Sequence, residues 1–293
     1  MAFPAVIAVF GPTASGKTAV AERLADVLGT EVVSCDALQV YRGLPLLTNQ
    51  PARATRLVGI RELDDEMSVG AFAQLAHEAI DELVAEHGVA VVCGGTGLYL
   101  RAALADLRVP PAPAEGARER WEQLYDHDPG AAHERLCSLD PAAAATVHPN
   151  DRRRVVRALE LAEAGSSLVP AEDRLWSAGT RLPTLIAGLE LPAAELERRI
   201  VHRTAEMFAA GVVDEVRTAL RGTVSRTAEQ ALGLREIAEL EPDAAREAIV
   251  ARTRRYAAYQ RKWMRRIPGL VSVDATLTPD EVADAILEVA RAR

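Results

Sequence analysis

The sequence has very little lysine, few cysteines and no long hydrophobic run. Only Lys17 and Lys262 are lysines among the 34 cationic residues, so the chain uses arginine almost everywhere else. The three cysteines, Cys35, Cys93 and Cys137, are far apart and form no CxxC pair, so neither a disulfide framework nor a zinc site is indicated. We therefore expect all three cysteines to be small buried side chains.

The chain shows no sign of a membrane segment or of a targeting leader. Its first apolar run, Val6–Phe10, is too short to span a bilayer and follows no basic leader, which predicts a cytoplasmic protein. Its 293 residues, 49% of them hydrophobic and 26% charged, are sufficient for a large α/β domain with an insertion. We expect a monomer, and the net charge of −8 argues against indiscriminate binding of nucleic acid.

Positive charge is nevertheless concentrated in two segments. The segment 252–266 contains seven cationic residues and no acid, and residues 152–157 include four arginines. Such clusters are typical of a surface that binds a polyanion. For both segments, the alternative is a solvated helix face.

Short apolar runs alternate with helix-length segments in the first hundred residues. This pattern predicts βαβ units and a parallel sheet. The predicted strands are Val6–Phe10, Glu31–Ser34, Val89–Cys93, Thr184–Leu189 and Val271–Val273, and the predicted helices of the first hundred residues are Lys17–Leu28 and Val69–Glu86. No strand-like run occurs between residues 110 and 183, where Pro110–Pro113 interrupts the chain and helices are predicted at 114–125, 130–138 and 151–164.

A complete phosphate-binding loop follows the first predicted strand. It consists of Gly11, Pro12, Thr13, Ala14, Ser15, Gly16, Lys17 and Thr18. Backbone N–H groups in such a loop point at phosphate oxygens, the lysine neutralises their charge, and the threonine hydroxyl binds Mg²⁺. The fold class that follows is α/β: a P-loop-containing parallel sheet core, residues 1–113 and 182–293, with a helical insertion at 114–181. The C-terminal part of the core is predicted to be helical and basic.

Polar residues also follow the second and third predicted strands. Asp36 lies two residues after the end of the second strand, and Gly94-Gly95-Thr96 follows the third. Because ligands of open α/β sheets bind at the carboxyl ends of the strands, we expect both segments to lie beside the P-loop. A carboxylate there could be a base or hold a metal, whereas the alternatives are a helix cap for Asp36 and a tight turn for the glycines.

Five motifs in this order resemble those of the tRNA dimethylallyltransferases, the tRNA isopentenyltransferase family. They are GPTASGKT, DALQVY, GGTGLYLRA, NDRRRVVRALE and TRRYAAYQRKWMRR, and they extend over most of the chain. The resemblance implies transfer of a dimethylallyl group from dimethylallyl diphosphate to N6 of the adenosine 3′ to the anticodon of tRNA. It also implies that Mg²⁺ is the cofactor and that the P-loop binds the prenyl diphosphate.

The resemblance assigns functions to individual residues. It implies Asp36 as the general base, with Lys17 and Thr96 as further catalytic residues, and Thr18 as the metal ligand. It implies donor binding by the P-loop and by Arg235. The residues that it implies for tRNA binding are Asp36, Ala37, Leu38, Gln39, Thr96, Arg118, Arg153, Arg154, Arg157, Arg252, Arg254 and Arg255.

Several positions depart from the usual family pattern. Ala37 and Leu234 replace a serine and a tyrosine, Gln230 lies where some relatives have an arginine, and the segment 53–60 is shortened. Three other functions therefore stay open: an adenine-nucleotide prenyltransferase, a small-molecule P-loop kinase, and a catalytically altered RNA-binding paralogue. The two arginine clusters argue against the first, because a free nucleotide needs no such surface.

Overall fold

The chain folds into two compact units. The computed structural model describes residues 3–107, 114–169 and 175–292. The first unit consists of Met1–Leu107 and Leu175–Arg293, and the second is Arg108–Arg174. The second unit thus starts and ends earlier in the chain than the predicted insertion, 114–181. The predicted interruption at Pro110–Pro113 lies outside the described residues.

The first unit is built on a sheet of five parallel strands in the order β2-β3-β1-β4-β5. The strands are β1 Val6–Phe10, β2 Val32–Ser34, β3 Ala90–Gly94, β4 Thr184–Glu190 and β5 Val271–Asp274. The central strand β1 is buried along its whole length, as expected for a strand covered on both faces. The predicted α/β class and the five predicted strands are confirmed, with ends that differ by one residue at most.

Helices cover both faces of the sheet. Along β1, Val6, Ala8 and Phe10 belong to one hydrophobic core, whereas Ile7 and Val9 belong to another, because successive side chains of a strand point to opposite faces. The helices of this unit are α1 Lys17–Leu28, α2 Val69–His87, α3 Gly97–Leu104, α8 Ala193–Ala209, α9 Val212–Ala219, α10 Leu234–Glu239, α11 Pro242–Met264 and α12 Pro279–Arg291. The helical stretch predicted from 193 to 266 is therefore four separate α-helices.

The second unit is helical where it is described, and it has its own core. Its helices are α4 Ala117–His127, α5 Pro129–Leu139, α6 Pro141–Ala144 and α7 Arg152–Glu163. An aspartate caps the N-terminus of three of these helices: Asp128 of α5, Asp140 of α6 and Asp151 of α7. The side chain of each aspartate accepts a hydrogen bond from a backbone N–H in the first turn. Three of these helices match the predicted ones, whereas the single-turn helix α6 was not predicted.

The cysteines differ from one another in burial. Cys35 and Cys93 are buried as predicted, whereas the prediction for Cys137 was wrong, because this side chain is exposed on α5. Its position in an amphipathic helix decides its exposure, and composition alone does not reveal that. Of the helices in the described ranges, none is both long enough and apolar enough to cross a membrane.

Candidate active site

The P-loop joins β1 to α1 and forms an anion-binding turn. Gly16 begins α1 with a φ of 88°, a left-handed conformation that glycine adopts without steric cost. The hydroxyl of Ser15 is buried and makes no hydrogen bond within the described residues. A buried hydroxyl without a partner costs free energy, so it favours a ligand oxygen at this turn. The backbone N–H groups of the loop and the positive N-terminal end of α1 also favour an anion at this turn.

Lys17 is held in place by its own loop. Its Nζ donates a hydrogen bond of 2.7 Å to the carbonyl oxygen of Pro12. Burial lowers the pKa of Lys17 to about 8, and Cys93 and Asp36 partly oppose that shift. An anion bound at the loop would restore the usual preference for the ammonium form, so the lysine is suited to a phosphate group.

A cavity of about 650 Å³ opens over the P-loop. Lys17 and Thr18 line it from the loop, Asp36 and Gln39 from the segment after β2, and Gly95 from the turn after β3. The three segments that sequence analysis identified thus meet at the carboxyl ends of adjacent strands, as expected for an α/β sheet. Phosphate-binding groups and a carboxylate lie within one cavity.

Helix α8 supplies a wall of charged residues that was not predicted from the sequence. The residues of α8 that line the cavity are Glu195, Arg198, Arg199, His202, Arg203 and Glu206. Arg198 and Arg199 pair with Glu195, at 2.5 Å and 2.6 Å, whereas Arg203 has no salt-bridge partner in the described part of the chain. Burial lowers the pKa of Arg203, with partial opposition from Asp36. Arg203 is half-buried, and a partly desolvated cation of this kind is stabilised by a bound anion.

Helix α11 fastens two of the cavity loops together through Gln260. This side chain is only 2% exposed; its Oε1 accepts from the Thr13 N–H at 2.7 Å, and its Nε2 donates to the Gly95 carbonyl at 2.8 Å. The contact requires glycine at position 95, since a Cβ there would lie 2.3 Å from Nε2 of Gln260. The P-loop and the β3 turn are therefore positioned by one glutamine.

One turn earlier on α11, Tyr256 also lines the cavity. Its hydroxyl lies 3.3 Å from Oγ1 of Thr96, and burial raises its pKa above the ordinary value. The tyrosine therefore stays protonated and can donate a hydrogen bond. Thr96 was predicted from the sequence to be a site residue, whereas Tyr256 and Gln260 were not, although both lie in the basic segment, four residues apart on one helix face.

Other predicted site residues occupy different surroundings. Asp36 accepts from the Leu38 N–H at 3.0 Å, while Ala37 and Leu38 are half-buried against the hydrophobic core. The Gln39 amide accepts from Ser34 and donates to backbone carbonyls of the segment 48–49. Arg235 is not among the residues that line the cavity; it is exposed and lies 3.5 Å from Glu229.

Several arginines that were predicted to bind RNA form ion pairs within the chain. In the second unit, Arg118 and Arg157 both bind Glu160, whose side chain is fully buried, at 2.5 Å and 2.9 Å. Arg153 and Arg154 are exposed on α7. In the first unit, Arg252 pairs with Glu236 at 2.8 Å and Arg254 with Glu197 at 2.6 Å, while Arg255 is exposed. The segment 252–266 contains no acidic residue, and the acidic partners of its arginines lie on α10 and α8.

The residues at the P-loop also suit a divalent cation bound together with a phosphate group. Among the described residues, no group of three or more histidine, cysteine or acidic side chains could form a metal cage. Mg²⁺ is commonly held by one or two protein oxygens together with phosphate oxygens and water. The Thr18 hydroxyl and the Asp36 carboxylate, both in the cavity, fit that mode.

The chain is similar to known prenyltransferases over almost its whole length. Residues 39–267 match the family described as IPP transferase. The tRNA dimethylallyltransferase of Kineococcus radiotolerans is 39% identical, with 97% of this chain and 96% of the relative covered. That of Acidothermus cellulolyticus is 38% identical, with coverage of 98% and 92%.

A solved structure is similar as well. The crystal structure of the tRNA isopentenylpyrophosphate transferase from Bacillus halodurans superposes with a TM-score of 0.68, at 29% identity, covering 98% of this chain and 94% of that one. The family match covers well over half of the chain, and the relatives extend it across the P-loop and Asp36. The chain therefore belongs to the IPP transferase family.

Proposed function

We propose that this chain transfers a dimethylallyl group from dimethylallyl diphosphate to N6 of the adenosine 3′ to the anticodon in tRNA. The observation that carries the proposal is the single cavity in which Lys17 and Arg203 lie together with Asp36. Two cations suit a diphosphate, and a carboxylate suits a nucleophile that must lose a proton. The names of the similar proteins, tRNA dimethylallyltransferases, support the same reaction.

In the proposed reaction, the adenine N6 attacks the allylic carbon and the bond from that carbon to the diphosphate oxygen breaks. The N6 proton passes to Asp36, because an exocyclic amine is a poor nucleophile without a base within hydrogen-bond reach. The leaving diphosphate keeps the bonding electron pair. The P-loop amides, Lys17 and Arg203 stabilise the negative charge that develops on it.

The remaining site residues position the reactants. Thr18 would hold Mg²⁺, which supplies charge neutralisation of the diphosphate when bound. We propose that Thr96 and Tyr256 direct their hydroxyls at the reacting centre. An adenine must leave the stacked anticodon loop to enter the cavity, and Asp36 and Gln39 lie where its edge would be bound. We propose that exposed arginines contact the RNA backbone, namely Arg153, Arg154 and Arg255. We propose the same for four arginines that would exchange their ion pairs within the chain for RNA phosphates, namely Arg118, Arg157, Arg252 and Arg254.

The experiment compares possible donors and acceptors directly. The protein is incubated with Mg²⁺ and either dimethylallyl diphosphate or ATP, in the presence of unmodified tRNA, AMP or a panel of small-molecule acceptors. Nucleosides are analysed by mass spectrometry after digestion, and conversion of ATP to ADP is measured in parallel. Prenylated adenosine with dimethylallyl diphosphate alone supports the proposal. Prenylation of free AMP but not of tRNA, or transfer of the ATP γ-phosphoryl group to a small-molecule acceptor with formation of ADP, would replace it with one of the alternative functions.

A further inference from the structure

An aromatic cluster forms between the C-terminal part of α11 and the segment that contains Trp176. The Trp176 and Trp263 rings are 4.7 Å apart between centroids and tilted by 37°, and Tyr259 meets Trp263 edge-on at 6.4 Å. The guanidinium carbon of Arg266 lies 3.7 Å from the centroid of the Trp176 ring. We call Trp176, Tyr259, Trp263 and Arg266 the aromatic cluster. It is outside the catalytic machinery described above.

The two tryptophans of the cluster are fixed by packing. Trp263 lies directly against Gly97, since a Cβ at that residue would come within 2.3 Å of the indole ring. Trp176 belongs to a segment that Arg101 anchors from α3: its buried guanidinium donates to the carbonyl oxygens of Leu175 and Ser177, both at 2.9 Å. The inner part of the cluster is therefore rigid and needs no ligand to explain it.

The outer members of the cluster are not explained by the fold. Tyr259 is 54% exposed and Arg266 is also exposed, so one aromatic ring and one guanidinium plane are presented to solvent. Arg255 and Lys262 flank Tyr259 at helical spacing, both exposed, and neither makes a salt bridge within the described ranges. This surface combines flat stacking groups with unneutralised positive charge. A ligand that has both aromatic faces and negative charge complements it.

We propose that Tyr259 and Arg266, supported by Trp263 and Trp176, stack on an unpaired base of the acceptor RNA next to the adenosine that enters the cavity. The inference rests on the proposed function, because it requires an RNA acceptor. Unpaired bases stack on aromatic rings and on arginine planes, and cations beside them bind the phosphates. Trp263 contacts Gly97, which adjoins Thr96, and the Thr96 hydroxyl lies 3.3 Å from that of Tyr256 in the cavity wall. A nucleotide next to the bound adenosine could therefore reach this surface.

The test is a double-mutant cycle between Tyr259 and the RNA, using the full chain. Affinity is measured for a stem-loop RNA with an unpaired target adenosine and for two versions with an abasic nucleotide on either side of it. We expect Tyr259→Ala to weaken binding of the intact RNA by about 5- to 150-fold. One abasic RNA should lose affinity by a similar factor with the unaltered protein and lose little more with Tyr259→Ala.

Two further variants separate stacking from charge and from damage to the fold. Tyr259→Phe keeps the ring and is expected to restore most of the affinity, and Leu277→Ala removes an exposed apolar side chain elsewhere on the same unit as a matched control. Arg255→Ala should reduce the salt dependence of binding, whereas Tyr259→Ala should leave its slope unchanged. The stacking proposal would be overturned if Tyr259→Ala did not weaken RNA binding. It would also be overturned if the loss of affinity from Tyr259→Ala added in full to the loss from each of the two abasic nucleotides.

The outcomes distinguish this inference from the proposed function. Prenylated adenosine without coupling between Tyr259 and a neighbouring base would leave the transferase standing and refute the stacking surface. Absence of both RNA binding and product would refute both. Loss of Tyr259 that weakens self-association or peptide binding but not RNA binding would show that the aromatic cluster serves a protein partner instead.

Discussion

Replacing Gln260 with leucine should both destabilise the protein and weaken donor binding. The substitution leaves the Thr13 N–H and the Gly95 carbonyl without their partners, at bonds that now measure 2.7 Å and 2.8 Å. A buried polar group left without a hydrogen bond costs about 1–3 kcal/mol. Both groups adjoin the cavity, where water can replace part of the loss, so we expect the total to be about 2–4 kcal/mol.

Urea denaturation measures the stability change, and titration with dimethylallyl diphosphate measures donor affinity. The donor affinity should fall because the P-loop is no longer fastened to the turn after β3. Gln230→Leu is the matched control, since Gln230 is exposed and its removal should change the free energy of unfolding by less than about 0.5 kcal/mol. If Gln260→Leu behaved like that control in both assays, the claim that Gln260 positions the two loops would be refuted.

Lys17, Glu160 and Gly97 each have surroundings that fix the outcome of a simple perturbation. Because the pKa of Lys17 is lowered to about 8, donor affinity should fall by up to about tenfold per pH unit above that value, whereas Lys17→Arg should bind with little pH dependence in the same titration. Burial opposes ionisation of Glu160, but hydrogen bonds from two arginines lower its pKa below 4.5. The stability that ionised Glu160 contributes is therefore fully present above pH 4.5 and is lost as the pH falls through its lowered pKa. Glu160→Ala should cost about 3–5 kcal/mol in denaturation at pH 7, and a much smaller loss would show that the ion pairs contribute little. Gly97→Ala places a Cβ 2.3 Å from the Trp263 ring and should lower the unfolding free energy by about 1–3 kcal/mol, a value that an unchanged melting temperature would contradict.

Local patterns in the sequence were sufficient for one side of the cavity. A strand followed by a glycine-rich turn and a helix has few physical solutions, so the P-loop and the position of Asp36 after β2 could be predicted. The strands could be predicted equally well, since each is a short apolar run between helix-length segments. What these features share is that residues close in the sequence determine them.

The opposite wall of the cavity could not be predicted in this way. Arg203 lies in an ordinary amphipathic helix, and only the packing of α8 brings it to the P-loop. Gln260 is separated from Thr13 by 247 residues, so no local pattern indicates their bond. The only sequence signal was weak: Gln260 and Tyr256 are uncharged polar residues within a strongly basic segment.

Charge clusters were similarly ambiguous before the structure was known. Arg118 and Arg157 share the buried carboxylate of Glu160, and Arg252 binds Glu236 on another helix. A basic run in sequence therefore contains both structural arginines and exposed ones. Arg153, Arg154 and Arg255 are the exposed members of the predicted set with no salt bridge in the described ranges, and they are the stronger candidates for RNA contacts.

The proposed reaction depends on Asp36, which would remove the proton from an adenine that attacks a diphosphate-bound prenyl group. The most direct measurement incubates the protein and its Asp36→Asn variant with Mg²⁺, dimethylallyl diphosphate and unmodified tRNA, and quantifies prenylated adenosine by mass spectrometry. Both proteins should bind tRNA and donor, and the variant should form product at least about 100-fold more slowly, as expected for loss of a general base. Equal rates for the two proteins would show that Asp36 is not the base, and no product from either despite binding of both substrates would show that the chain does not catalyse this transfer.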